Sequence, residues 1–129
     1  MTSLKVALFL VVVTVLSSVD CKPTHCERWN GDSQFRCAKD NYREDTVLVR
    51  NRANGNVSFK VGKWISYCGK GGTNYSDKLY TLNSGASVKV EFGEAGPGVC
   101  HELFVYDCKI NNMSSNCLNA VIVSPDLIK

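Results

Sequence analysis

The chain holds two histidines, His25 and His101, and His101 is followed by Glu102, the opening half of a zinc-protease signature. That chemistry needs His-Glu, two residues and a second His, so that two imidazoles stand one helical turn apart. Val105 occupies the second ligand position. The surrounding run Leu103, Phe104, Val105, Tyr106 is β-branched and aromatic throughout, which fits a central strand covered on both faces and not a helix. Strand alternation puts Glu102, Phe104, Tyr106 and Cys108 on one face and Leu103 and Val105 on the other. The stretch reads as structural, with no metal site and no cofactor.

A second chemistry is open to two imidazoles. His25, His101 and a lysine are a minimal set for acid–base cleavage of RNA, one imidazole taking a proton and the other giving one. No motif ties either histidine to a lysine, and the chain lacks the G-x-S-x-G nucleophile elbow. A small secreted hydrolase such as a ribonuclease is therefore the alternative reading, and a non-enzymatic binding module the leading one.

The ends and the cysteines set the compartment. Residues 1–21 place Lys5 before an uncharged run from Val6 to Leu16 and then small residues, the layout of a secretory signal peptide, with cleavage between 18 and 21. Residues 22–129 then form a single secreted domain. Cleavage after Cys21 leaves six of the seven cysteines, an even set of Cys26, Cys37, Cys68, Cys100, Cys108 and Cys117 for disulfides. Retaining Cys21 leaves an odd thiol and opens the way to a covalent dimer. Six cysteines allow fifteen pairings, and bridges closing loops of tens of residues would each contribute about 2–4 kcal/mol. No second apolar segment is long enough to span a membrane. Removing Lys5 and Asp20 with the leader keeps the formal charge at +3, too mild to argue for nucleic acid. Basic residues concentrate between Thr46 and Lys78, acidic ones between Leu79 and Asp107.

Two-residue alternation bounded by Gly and Asn recurs from Thr46 onward, and helical periodicity is hard to find. TVLVRNR and NVSFKV flank Asn54-Gly55, a pair suited to a tight hairpin turn. Gly62-Lys63 is expected to turn the chain again into WISYC, and Asn83-Ser84-Gly85 to join KLYTL to ASVKVEF. With SQFRC and CLNAVIVS these make about eight short strands. The segment from Lys22 to Glu44 reads as irregular backbone pinned by Cys26 and Cys37. The fold class is all-β, a small disulfide-stabilised antiparallel β-sandwich.

The spacing in ELFVYDCKINN, an acidic residue six before a cysteine and a Tyr two before it, followed by the strand NAVIVS, resembles the last two strands of an immunoglobulin-like domain, here Glu102 to Ser124. The resemblance implies an immunoglobulin-like topology in which the Tyr106 hydroxyl bonds backbone upstream and Cys108 bridges the two sheets to Cys37. The buried Trp that this family places after its first cysteine is missing, the next being Trp64.

Sequons at Asn56, Asn74 and Asn112 fall at expected turns or loops and point to a glycoprotein. The candidate binding surface interleaves Lys60, Lys63 and Lys70 with Trp64 and Tyr75, the aromatic anchors and cations that serve protein interfaces. Glycans at Asn56 and Asn74 would obstruct a long polymer, which disfavours nucleic acid. The sequence thus describes a secreted, disulfide-rich glycoprotein that binds an extracellular protein or receptor, in the format of toxin-like, immune-modulating or effector factors.

Overall fold

The computed structural model of the chain describes residues 24–39, 46–66, 72–92 and 100–126. The expected signal peptide, Cys21, Cys68 and Lys70 lie outside them. Nine strands and one helical turn follow in order: β1 (His25–Trp29), β2 (Gln34–Lys39), β3 (Thr46–Asn51), β4 (Val57–Ser66), β5 (Gly72–Leu82), β6 (Ser87–Glu91), β7 (Cys100–Ile110), β8 (Met113–Ser114), α1 (Cys117–Ala120) and β9 (Val121–Asp126). The all-β class and its antiparallel pairing are as the alternation indicates.

The larger sheet has the order β1-β2-β7-β4-β5, with β8 added to β7, and the smaller has the order β6-β3-β9. One apolar cluster fills the space between them. The larger sheet contributes Phe35, Val57, Phe59, Val61, Leu103 and Val105, and the smaller Val47, Val49, Val90 and Val121. Each such side chain removed from water contributes about 1.5–3 kcal/mol. The run that looked like half a metal motif is the middle strand of the larger sheet, hydrogen-bonded to β2 on one side and β4 on the other.

The expected Asn54-Gly55 hairpin does not form, and the Asn83-Ser84-Gly85 turn does not bring its strands side by side. β3 and β4 lie in different sheets, and so do β5 and β6. The segments around Asn54-Gly55 and Asn83-Ser84-Gly85 are therefore arches that carry the chain across the sandwich. Alternation does not separate the two cases, because a strand shows the same buried stripe whether its sequence neighbour lies beside it or across the core. The arches hold each other. The Asn51 amide donates to Leu82 O at 3.1 Å and Gly55 O at 2.7 Å, its Oδ1 accepts from Ala53 N at 2.8 Å, and Asn51 N donates to Ala86 O at 2.9 Å.

The Gly62-Lys63 turn does not form. β4 runs through it unbroken, with a register shift against β5 beside Trp64. True hairpins occur where the sequence was read as irregular or as loop. β1 and β2 close through residues 30–33, with Asn30 and Gly31 at positive φ, and β7 turns into β8 through Asn111 and Asn112 at φ 50° and 67°, as a tight two-residue turn requires.

The expected Cys37–Cys108 bridge is replaced by Cys26–Cys37 and Cys108–Cys117. Cys37 lies opposite Leu103, five residues along β7 from Cys108, a strand length of about 17 Å that no disulfide spans. Asp107, at φ 51°, bulges β7 and turns Cys108 into the core with Cys117, both almost fully buried. Cys108 thus leaves the face it was expected to share with Tyr106. Cys100 is also disulfide-bonded. The last two long strands, β7 and β9, stand in different sheets, whereas an immunoglobulin-like domain pairs them in one.

Candidate functional site

Strand registers place a particular set of side chains on the solvent side of the larger sheet. Trp29 pairs with Gln34, Arg36 with Phe104, Phe104 with Gly62, Trp64 with Glu102 and Asn74, and Gly62 with Asp77. Cross-strand partners share a face, so these residues from all five strands meet. The outer face of a sandwich sheet is ordinarily polar, and here it carries an aromatic row. The Phe104 ring lies edge-on to Trp29 at 6.2 Å and to Trp64 at 6.3 Å, and the Arg36 guanidinium sits 5.2 Å from the Trp29 ring centre.

Gly62 sets the floor. A Cβ there would stand 2.9 Å from Asp77 Oδ1 and 3.3 Å from the Tyr106 ring, so the missing side chain is what lets a polar group settle over the middle of the sheet. Within that group the Tyr106 hydroxyl donates to Asp77 Oδ1 at 2.9 Å, and the Asn74 amide donates to the same oxygen at 3.3 Å. The result is an open hollow of about 460 Å³ with Trp64, Phe104 and Tyr106 as walls and Gln34, Asn74, Asp77 and Glu102 as polar lining, within the ~300–1,000 Å³ range of small-ligand sites.

Electrostatics follow from the same packing. Burial is the largest influence raising the Tyr106 pKa, and the hydrogen bond and charge of Asp77 act with it, as does the charge of Asp107. The phenol therefore stays a donor. Burial alone would weaken the charge of Arg36, but Glu102 and Glu27 outweigh it and leave the guanidinium with a raised pKa, bonded to them at 3.0 and 2.9 Å.

Of the sequence-derived candidates, Trp64 and Lys60 lie on this face, Lys60 in an exposed pair with Asp107 at 3.1 Å. Lys63 points to the other side. There burial lowers its pKa most, the neighbouring Lys78 adds to that, and Glu91 of the smaller sheet opposes it. Tyr75 belongs to β5, with no description of its side chain, and Lys70 lies outside the described residues. Among the described residues no lysine lines the hollow, and its carboxylates went unnoticed because Asp77 and Glu102 stand 25 residues apart in the chain.

The histidines of the hydrolase reading do not converge. His101 is buried on the core side with Leu103 and Val105, while His25 is exposed on β1, two strands away on the opposite face. Among the described residues no group of His, Cys, Asp and Glu could hold a metal ion, and no helix is long and apolar enough to cross a membrane. Asn56 and Asn112 are exposed in connecting segments, whereas Asn74 sits on strand β5 at the lip of the hollow and not in a loop. Comparison with protein-family models, curated proteins and solved structures finds no match.

Proposed function

We propose that this chain is a secreted, disulfide-bonded binding module that recognises an extracellular protein through the outer face of its larger sheet. The observation that carries this is the row Trp29, Phe104, Trp64 on the solvent side of a five-stranded surface, with Trp29 43% exposed. A sheet needs no aromatic side chains on its outer side to be stable, and solvating three costs free energy that a partner would recover. Tryptophan and tyrosine dominate protein interfaces because a large rigid side chain desolvates much area for little entropy. Two described disulfides and a fifth bonded cysteine, Cys100, agree with an oxidising compartment, and the separation of His25 from His101 speaks against the hydrolase alternative.

The test compares faces. Protein immobilised at its C-terminus is exposed to extracellular fluid or cell surfaces, and capture is measured for Trp64→Ala and for Ile122→Ser on the smaller sheet. Loss of about tenfold or more with Trp64→Ala, the scale of an interface hot spot, together with retention in Ile122→Ser, is expected. Equal capture by both variants would move the binding surface elsewhere.

A further inference from the structure

The hollow at the centre of this face has a chemistry more specific than an aromatic patch. Among the described residues its lining includes two carboxylates, Asp77 and Glu102, and no lysine, arginine or histidine, in a chain whose formal charge is +3. Both hydrogen bonds to Asp77 land on Oδ1, and Arg36 reaches Glu102 through Oε2. Asp77 Oδ2 and Glu102 Oε1 thus receive no hydrogen bond from a described residue. Around these two acceptors stand the rings of Trp64, Phe104 and Tyr106.

Ionised carboxylates accept and never donate. Ring faces attract cations, with Trp the strongest. A hollow that combines the two repels anions, and its carboxylates serve only the donors of a neutral amide or hydroxyl, not its lone pairs. It suits a planar cation that stacks on an indole while its N–H groups point at oxygens, which describes a guanidinium.

We infer that the hollow receives an arginine side chain of the partner protein, its guanidinium stacked against Trp64 and hydrogen-bonded to Asp77 and Glu102. Resting on the binding reading above, this names the anchor that the partner inserts. Arg36 shows the geometry already in use on the same face, lying over Trp29 while bonded to Glu27 and Glu102. The partner's arginine would repeat that arrangement one strand pair further along, with Asp77 in the place of Glu27.

N-acetyl-arginine amide and its citrulline counterpart test this directly, because the urea of citrulline keeps the shape and removes the charge. Titrations are followed by the indole N–H resonance of Trp64, assigned by comparison with Trp64→Phe. The arginine compound is expected to shift that resonance, to bind more weakly with added salt, and to lose about tenfold in affinity in Asp77→Asn. Citrulline binding as tightly as arginine, or Asp77→Asn leaving arginine affinity unchanged, would overturn the inference. The same two amides are added to the capture assay. Capture that needs Trp64 but ignores Asp77 and competing arginine leaves the face standing and removes the arginine anchor, whereas capture indifferent to Trp64 removes both.

Discussion

Asp77 and Tyr106 are 29 residues apart in sequence, and one hydrogen bond over a glycine makes them a unit. The phenol is held above its ordinary pKa, so the folded protein binds that proton more tightly than the unfolded chain does. Stability from this source is complete below the unfolded tyrosine value, about pH 10, and is lost as pH rises through the higher folded value. Phenolate absorbance should therefore show a late component from Tyr106. That late component should vanish in Tyr106→Phe and move to lower pH in Asp77→Asn. An unaltered titration in Asp77→Asn would separate the phenol from the carboxylate. At this scale the sequence exposed the types and hid the grouping: Trp64 stood out as an aromatic among lysines, but Gly62 was read as a turn residue when its role is to leave room.

At the scale of elements, the sandwich depends on its two adjoining arches. Asn51 is 2% exposed, and its amide serves carbonyls from both arches, at Gly55 and Leu82. Asn51→Ala leaves the Leu82 carbonyl and the Ala53 N–H without these partners inside the fold, at a cost of about 2 kcal/mol. Chemical denaturation should show the midpoint falling with little change in slope. Asn51→Asp keeps the acceptor for Ala53 but loses both donated bonds, so it should rank with the alanine variant. Wild-type stability in either would mean the arches stand without this side chain. Strands such as β3 and the first half of β4 were readable from alternation, since buried Val and Phe recur at every second residue of their core-facing side. Partner choice was not, and neither was the bulge at Asp107, where one left-handed residue shifts every later side chain of β7 to the opposite face.

Across the whole molecule, the described disulfides are local staples. They close separations of 11 and 9 residues, not the tens of residues expected from the sequence. Cys26–Cys37 binds the edge strand β1 to β2 directly across the ladder, and Cys108–Cys117 ties the bulge of β7 to α1. Loops of this size constrain the unfolded chain by about 2–3 kcal/mol each. The double variant Cys108→Ala with Cys117→Ala should lose that amount or more, because both sulfurs are in the core, as read by guanidinium unfolding. A smaller loss would mean that packing around α1 holds without the crosslink. Folding also dissolves the charge asymmetry along the chain. β4 from the basic half lies beside β7 from the acidic half, so Lys60 meets Asp107, and across the core Lys63 comes near Glu91 of β6.

By itself the sequence determined the class of this protein, because the alternation of apolar side chains acts locally and is read locally. It determined too that His101-Glu102 belongs to a strand, since Val105 stands where a ligand is required. Only the tertiary structure decided which strands are neighbours, which cysteines pair and which face carries function. Those are matters of distance between residues remote in the chain, and a period-2 pattern is the same whichever strand lies alongside. The hollow between Trp64, Asp77 and Glu102 exists only once β4, β5 and β7 stand in register.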